Sequence, residues 1–175
     1  MGWGGNVMSV EEYKDTVLKF YESFDHANLE LARELVGANF IAHLPQTPQP
    51  LNLDAFLEYG LAFRSAFDNA QHKFDNIIVA EDKIITTGTF SGIHTGELQG
   101  LPPTGKQVKF SVMHIDRLEN GKIVEHWGIG DALGLMQQIG VIPIPGLMLF
   151  SQMIKSLPAR LFQKLASGFG NPKYR

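Results

Sequence analysis

The hydrophobic periodicity of this chain changes once, near residue 70, and this change restricts the possible folds more than any other feature. Before it, apolar side chains recur at the spacing of amphipathic helices. Three helices are predicted there: 10–25, 29–36, and a third that begins at Asn52 or Asp54 and ends near Phe67. After it, apolar and polar residues alternate as in half-buried strands. Four antiparallel strands are predicted: 71–80, 83–93, 106–118 and 122–129. Helices followed by strands indicate an α+β domain with a hollow between sheet and helices for a ligand.

Local signals mark the ends of several elements. Ser9 and Glu12 have the spacing of a capping box at the start of the first helix. Asn120-Gly121 predicts a tight hairpin between the last two strands, because both residues tolerate positive φ. Residues 40–44 are predicted to form a brief strand, and residues 133–140 a short helix. The whole chain has the length of one domain.

The composition excludes several classes of protein and site. The 175 residues are 44% hydrophobic and 19% charged, which does not match a disordered chain or a membrane protein. The chain has no cysteine, so disulfides, thiolate nucleophiles and zinc–thiolate sites are excluded. The formal net charge of -3 argues against nucleic acid as a partner. No signal peptide or transmembrane stretch is visible, so we expect a cytoplasmic protein.

An uneven division of charge sets the C-terminal segment apart. Residues 1–140 carry 10 basic and 18 acidic side chains, whereas residues 141–175 carry five basic and no acidic ones. We therefore predict a domain over 1–140 and a basic helical extension over 141–175. Apolar residues recur at helical spacing over 147–165, with Pro158 as a break. Two roles stay open: the extension packs on the domain or on a second subunit, or it contacts an anionic membrane surface weakly.

The motifs that are missing narrow the chemistry to proton transfer. The chain has no GxGxxG after a strand, no P-loop, no GxSxG and no HExxH. Its histidines are scattered and form no tight ligand pair, so we expect no metal site. The remaining candidates are His, Asp and Glu side chains that move protons without a covalent step.

Asp131 is the candidate general base. It follows the last predicted strand with the parity of Trp127, so both side chains can face a mostly apolar cavity. A carboxylate beside an indole there would be poorly solvated, which makes it a stronger base. The alternative is structural, since Asp is a preferred N-cap and a helix begins near Ala132. The residues alone leave both roles open.

Three histidines are predicted to line the cavity or to pack beside it. His114 shares a strand face with Phe110, and it is either a catalytic group or a hydrogen-bonded core residue. His43 and His94 lie at the ends of extended segments, where each lines the cavity or is an ordinary packing or loop residue.

The inward or outward orientation of other polar residues depends on strand parity. His126 has the opposite parity to Trp127 and is therefore predicted to face outward, and His72 has a position typical of the surface. Whether Asp116 or Glu125 points inward stays open, because a β-bulge in either strand would reverse the parity.

Several stretches, taken in order, are similar to one protein family. They are Gly92–Glu97, Gly100–Lys106, Asp116-Arg117, Gly121–Trp127, Asp131 and Leu133–Gly140. With these motifs, residues 10–140 resemble the SnoaL-like polyketide cyclases, or ester cyclases, of the nuclear-transport-factor-2-like (NTF2-like) superfamily. The segment beyond Gly140 departs from the family pattern.

The resemblance implies both a fold and an activity. The fold is a cone-shaped α+β barrel, in which a curved, mainly antiparallel sheet wraps the N-terminal helices around a pocket. The activity is a cofactor-free, intramolecular aldol-type ring closure, or a related proton-transfer isomerisation, of an apolar polyketide-like carbonyl or ester substrate. The resemblance also implies a homodimer.

The family's site residues can be matched to positions of this chain. Asp131 matches the acid that acts as base, and the resemblance places His43, His94 and His114 at the cavity, with oxyanion or acid roles as conjectures. The predicted site combines two catalytic candidates with four substrate-binding residues: Asp131 and His114, then His43, His94, Trp127 and Phe110.

Two non-catalytic functions remain as alternatives. One is a binding protein for an apolar small molecule, in which Asp131 is a helix cap. The other is an interaction module whose sheet face forms a homodimer and whose extension binds a membrane or a partner. An Asp131→Asn substitution separates the enzyme from the binding protein, because Asn caps a helix as well as Asp does but cannot act as the base.

Overall fold

The computed structural model of the protein describes residues 9–144, 146, 151, 152 and 155. The chain divides into two units, residues 1–139 and 140–175. All the helices and strands named below belong to the first unit.

Three helices precede most of the sheet, and each begins at a polar side chain that caps it. They are α1 (Val10–Asp25), α2 (Leu29–Leu35) and α3 (Leu53–Ser65). The caps are Ser9, Asn28 and Asn52, and each side-chain oxygen accepts a hydrogen bond from the backbone N–H three residues later. Such a bond satisfies one of the free donors of the first helical turn. The predicted capping box of Ser9 and Glu12 is confirmed, and Asn52 is the cap of α3.

Six strands form one mixed sheet. They are β1 (Val36–His43), β2 (Leu51–Asn52), β3 (Phe67–Ala80), β4 (Lys83–His94), β5 (Gln107–Glu119) and β6 (Lys122–Gly130). Their order is β2-β1-β6-β5-β4-β3, and β1 is parallel to β6 while the other neighbours are antiparallel. A fourth helix, α4 (Ala132–Ile139), follows β6. The predicted α+β class with a curved, mainly antiparallel sheet is confirmed.

Three strands differ from the predicted elements. β3 begins at Phe67, four residues before the predicted start at 71, because α3 already ends at Ser65. β1 begins at Val36, four residues before the predicted segment, because the chain passes from α2 into extended backbone without a loop. β2 was not predicted, because its two residues follow a stretch rich in Pro and Gln that is typical of a loop. Its pairing with β1 comes from the tertiary fold and has no local signal.

The helices cover one face of the sheet and form an aromatic core with it. Val17, Phe20 and Tyr21 of α1 are buried. Phe20 stacks on Phe56 of α3, with ring centroids 6.1 Å apart, and contacts the ring of His126 on β6 at 6.2 Å. This packing places polar side chains of the sheet against the inner face of α1.

A β-bulge in β6 decides which of its side chains face the helices. Leu118 pairs with Ile123, but the preceding residue, Arg117, pairs with Glu125, so one extra residue is accommodated in β6. Ile123 and His126 are therefore both buried although their spacing is odd. The predicted parity was wrong: His126 faces the helices and Trp127 lies on the outer face.

The second unit is described at few positions. Gly146, Ser151, Gln152 and Lys155 are helical and exposed. The rest of the predicted amphipathic segment over 147–165 lies outside the described residues, so its packing and membrane roles stay predictions. Within the part of the chain that the structure describes, no helix is long and apolar enough to span a membrane.

Candidate active site

A cavity opens between the sheet and the helices of the first unit, and much of its wall is aromatic. Phenylalanine and tyrosine side chains from α1, α3, β4 and β5 line it: Phe20, Tyr21, Phe24, Phe56, Tyr59, Phe63, Phe90 and Phe110. A few polar groups interrupt this lining, among them three histidines. Apolar walls with a small number of placed polar groups are typical of sites for small molecules, and aromatic walls favour flat ligands.

Asp116 of β5 is a fully buried carboxyl group that contacts two residues of the cavity wall, Tyr21 and His126. Its Oδ2 accepts a hydrogen bond from the Tyr21 hydroxyl at 2.6 Å, and its Oδ1 accepts one from Nδ1 of His126 at 2.8 Å. The side chain of Asp116 is fully buried, so these two bonds replace its hydration. Burial, and then the charge of Asp116, raise the pKa of Tyr21 well above its ordinary value. Its hydroxyl therefore stays protonated and donates.

The hydrogen bond to Asp116 orients the imidazole of His126. Because Nδ1 donates to the carboxylate, Nε2 is the nitrogen that carries the lone pair when the ring is neutral. His126 lines the cavity together with Gly128, the next inward position of β6. A Cβ atom at Gly128 would lie 2.8 Å from Nε2 of His126. Such a Cβ would also lie 3.2 Å from Leu44, so glycine at this position allows the backbone of β6 to pass close to the imidazole.

His114 of β5 lies beside this pair and is neutral near pH 7. Burial, followed by the neighbouring charges of His126 and His72, lowers the pKa of His114 well below its ordinary value. Its Nδ1 lies 3.3 Å from the hydroxyl of Thr86. A neutral imidazole at the wall can donate a hydrogen bond to a ligand without introducing a positive charge.

A second carboxylate–imidazole pair lies in the cavity wall. His72 of β3 donates to Asp25, the last residue of α1: its Nδ1 is 2.7 Å from Oδ1, and its backbone N–H is 2.8 Å from Oδ2. Arg64 donates from Nε to the backbone carbonyl of Asp25 at 2.9 Å and also lines the cavity. The prediction that His72 lies on the surface was wrong, because its strand folds back against the end of α1.

Asp131 is placed differently from the predicted base. Its Oδ1 accepts the backbone N–H of Gly134 at 2.8 Å, which makes Asp131 the N-cap of α4. The residue is exposed and contributes to a shallow surface depression beside Met113 and Ile129. The cap alternative is therefore what the geometry supports, and the expected environment, an apolar cavity beside Trp127, is not found.

Two of the predicted substrate-binding residues lie on the outer face of the sheet. The rings of His43 and Trp127 stack there with centroids 4.9 Å apart. His43 also donates from Nε2 to Glu125 at 2.9 Å, and Arg117 donates to the other oxygen at 3.0 Å. Burial acts to raise the pKa of Glu125, but these two hydrogen bonds outweigh it and hold the pKa below its usual value. The bulge in β6 turned this cluster away from the cavity, which answers the open question on Glu125.

The remaining predicted residues separate into one at the cavity and one in the core. Phe110 lines the cavity as expected and lies on the same face of β5 as His114. His94 is fully buried, with Nδ1 3.0 Å from the hydroxyl of Thr104 and its ring against Phe67. Within the described residues, His94 is not part of the cavity wall.

Sequence reasoning missed the groups that form the polar part of the site. Tyr21 was not among the predicted site residues, and the orientation of Asp116 was left open. Phe110, His114 and Asp116 are separated by even numbers of residues along β5, so strand alternation predicts that all three lie on one face of the sheet. The contact of Asp25 with His72 has no local signal, because it joins the end of a helix to a strand 47 residues away.

The described residues contain no group of three or more His, Cys, Asp or Glu side chains arranged to hold a metal ion. The polar groups of the cavity are instead paired two by two, as Asp116 with His126 and Asp25 with His72. A carboxylate paired with an imidazole is chemically able to hold a proton and to exchange it with a ligand.

Both the sequence and the fold of this chain are similar to those of known proteins. Residues 15–139 match the family model of the SnoaL-like polyketide cyclases. Aklanonic acid methyl ester cyclase DnrD of Streptomyces peucetius is 25% identical over 130 residues, which cover 72% of this chain and 89% of DnrD.

Solved structures agree with this match. IdmH of Streptomyces antibioticus, a candidate polyketide cyclase, superimposes with a TM-score of 0.67 and 28% identity over 73% of this chain and 98% of its own. AclR of Streptomyces galilaeus, a candidate hydroxylase, shares the fold with a TM-score of 0.70 and 22% identity over 77% of this chain and 100% of its own. The match of the family model over most of the first unit, together with the NTF2-like fold, shows that the chain belongs to the SnoaL-like polyketide cyclase family.

Proposed function

We propose that this protein is a cyclase that closes a ring in an aromatic, polyketide-like carbonyl ester by an intramolecular aldol reaction, with His126 as the general base. The observation that carries the proposal is the position of His126 in the wall of the aromatic cavity, with Nδ1 bound to the buried carboxylate of Asp116 and Nε2 as the other ring nitrogen. This arrangement favours an imidazole base whose tautomer and orientation are held by a buried carboxylate.

The first step is removal of a carbon-bound proton. A C–H group between two carbonyls is acidic enough for an imidazole to act as its base, so the reaction needs no cofactor. As Nε2 of His126 takes the proton, the ring becomes an imidazolium, and the Asp116 carboxylate stabilises its positive charge. The Tyr21 hydroxyl keeps the carboxylate in place by its bond to the other oxygen.

The second step is carbon–carbon bond formation. The enolate carbon attacks a second carbonyl of the same molecule, and negative charge moves to the oxygen of that carbonyl. Neutral His114 is placed to donate a hydrogen bond to an enolate or alkoxide oxygen, which stabilises the charge as it develops. The aromatic walls hold the substrate folded, which brings the two reacting carbons together without a loss of entropy in the step itself.

The test uses aklanonic acid methyl ester, the substrate for which the relative DnrD is named. We expect the wild-type protein to convert it to a cyclised isomer without added cofactor. His126→Gln keeps a polar side chain of similar length but removes the base, so kcat should fall by about 100-fold or more. Product formation is followed by chromatography and mass spectrometry, which shows an isomer of unchanged mass.

His26→Gln is the matched control, because His26 is an exposed histidine at the end of α1. The control should retain wild-type kcat, and circular dichroism should show that both variants are folded. A folded His126→Gln protein with unchanged turnover would eliminate His126 as the base. A wild-type protein that binds the ester but leaves it unchanged would favour the alternative of a binding protein.

We also propose that the outer face of the sheet pairs with a second copy of the chain. Ile41, Ile78, Met113 and Ile129 on that face are between 43% and 59% exposed. Met113 and Ile129 are cross-strand neighbours, and exposed apolar side chains next to each other on a small domain favour a protein interface over contact with water. The cavity lies on the opposite face, so such a dimer leaves it accessible.

A further inference from the structure

The pair of Asp25 and His72 is built like the pair of Asp116 and His126. In both, a carboxylate accepts a hydrogen bond from Nδ1 of the imidazole, at 2.7 Å and 2.8 Å. Asp25 also accepts the backbone N–H of His72, so both of its oxygens hold this one residue. The imidazole of His72 is therefore fixed with Nε2 as its remaining polar atom.

The two pairs differ in their access to solvent. The side chains of His72 and Asp25 are 15% and 11% exposed, whereas those of His126 and Asp116 are 4% and 0% exposed. His72 lines the aromatic cavity and also a polar cleft beside it, which includes Glu22, His26, Asn69 and Gln71. His72 therefore lies at the boundary between the cavity proposed to bind the substrate and the polar cleft.

His114 lies between the two paired histidines. Its ring centroid is 5.9 Å from that of His72 and 5.7 Å from that of His126. Tyr21 packs against His72 and His114 from the side of α1, and Phe74 and Phe90 surround His72 from the sheet. The paired histidines thus face one cavity from two positions separated by a neutral group.

We infer that His72 is a second catalytic residue, the general acid that protonates the alkoxide formed on ring closure, and that Asp25 is its positioning residue. This inference rests on the proposed function, in which His126 removes the carbon-bound proton. An aldol reaction requires one group that accepts a proton and one that donates it, and the two pairs supply these groups at different places on the cavity wall.

The protons and electrons of the proposed cycle balance. His126 takes the proton from the α-carbon, and the electron pair of that C–H bond forms the new carbon–carbon bond through the enolate. The π electrons of the attacked carbonyl move to its oxygen, which then takes a proton from Nε2 of His72. The product is an isomer of the substrate, His126 is left protonated and His72 neutral. Loss of a proton from His126 and uptake of one by His72 through the polar cleft restore both groups.

The test separates proton removal from ring closure. Wild-type protein and variants are incubated with aklanonic acid methyl ester in D2O, and mass spectrometry measures deuterium in the recovered substrate and the amount of cyclised product. His126→Gln should lose both exchange and closure. His72→Gln should keep exchange, because the base is intact, while closure falls by about 100-fold. The ratio of exchange to closure should therefore rise.

Asp25→Asn is a second variant that leaves His72 in place. Asp25→Asn should raise the ratio of exchange to closure by a smaller factor than His72→Gln does, because His72 is still present but is no longer held by a carboxylate. Asp15→Asn removes an exposed carboxylate of α1 outside the cleft and should leave the ratio unchanged, and circular dichroism identifies any variant that does not fold. If His72→Gln does not fold, Asp25→Asn decides the question.

Each other outcome is decisive. Unchanged closure in His72→Gln, or an unchanged ratio in Asp25→Asn when His72→Gln is unfolded, overturns the assignment of His72. Loss of exchange together with closure in folded His72→Gln also overturns it, because an acid is not needed to remove the α-proton. Absence of exchange and closure in the wild-type protein overturns the proposed function itself.

Discussion

Asp116 is a charged residue at a position from which water is excluded, and its two hydrogen bonds make this possible. A buried carboxylate without partners would destabilise the fold by several kcal/mol. Tyr21 and His126 bind one oxygen each, so the ionised form is accommodated. The same two bonds hold the imidazole that we propose as the base, so one arrangement serves both stability and function.

His114 is the residue whose protonation should limit stability in acid. Its pKa in the folded protein is below the ordinary value of 6.5. Below pH 6.5 the unfolded chain binds a proton that the folded protein does not, so the free energy of unfolding should fall as the pH falls. One such group contributes at most about 1.4 kcal/mol per pH unit. Above pH 6.5 the contribution of His114 to the free energy of unfolding no longer changes with pH.

Urea unfolding between pH 7.5 and pH 5.5 checks this prediction. His114→Gln removes the titrating group, so the loss of stability between the two pH values should be smaller than in the wild-type protein. His26→Gln, which removes an exposed histidine, should leave the wild-type pH dependence unchanged. Equal slopes for His114→Gln and wild type would show that His114 is not responsible.

At the scale of elements, the helix N-termini follow one rule. Ser9, Asn28, Asn52 and Asp131 each accept a hydrogen bond from the backbone N–H three residues later. Asp131 thus has the same role as three residues for which no catalytic function was considered. Because Asp131 lies directly after a strand and before a helix, the sequence was compatible with a helix cap and with a general base. The hydrogen bond that it accepts from Gly134 favours the cap.

Substitution of Asp131 should affect stability and not turnover. Asp131→Ala removes the cap of α4 and should lower the free energy of unfolding by about 0.5–2 kcal/mol. Asp131→Asn retains a capping oxygen and should change the free energy of unfolding little. Both variants should keep kcat with aklanonic acid methyl ester. A folded Asp131→Asn protein without turnover would restore Asp131 as a candidate for the base.

The sequence predicted the elements well because their signals are local. Helical spacing, capping residues and the Asn120-Gly121 turn lie within short segments, and the main helices and the four long strands were found close to their observed bounds. The bulge in β6 has no such signal, because it depends on how β6 pairs with β5. One extra residue between Ile123 and His126 exchanged the inner and outer faces.

The site was predicted less well because it depends on long-range contacts. His114 and Phe110 were found, since alternation along one strand places them on the inner face. Tyr21 meets Asp116 across 95 residues, and Asp25 meets His72 across 47. Contacts of this kind follow from the packing of α1 on the sheet, which no short segment of sequence specifies.

At the scale of the whole molecule, the sheet separates two surfaces with different chemistry. Its inner face carries the cavity with its paired carboxylates and histidines. Its outer face carries exposed apolar side chains, and Met113 is the cross-strand neighbour of Ile129 there. Because alternate residues of each strand contribute to each face, binding of a ligand and binding of a second subunit can be varied separately.

The proposed dimer can be tested on the outer face alone. Replacing both Met113 and Ile129 with Glu places like charges at the centre of the apolar surface, so the protein should change from dimer to monomer. Multi-angle light scattering at about 50 μM, near the concentrations at which domain interfaces of micromolar affinity are occupied, measures the mass. Lys19→Glu on α1 is the control and should remain dimeric. A monomeric wild-type protein would contradict the proposed dimer.

The parallel pairing of β1 with β6 has a consequence for how the protein reaches its native state. β3, β4, β5 and β6 follow one another as antiparallel neighbours, so each pairing closes a short stretch of chain. Ile41 of β1 pairs with Glu125 of β6 only after more than 80 residues have been brought together. Contacts at such separation form slowly, so we expect the hairpins to form first and the N-terminal segment to dock last. Because α1 carries Asp25 and Tyr21, the Asp25–His72 pair and the bond from Tyr21 to Asp116 would form only in this final step, whereas Asp116 and His126 already meet in the β5–β6 hairpin.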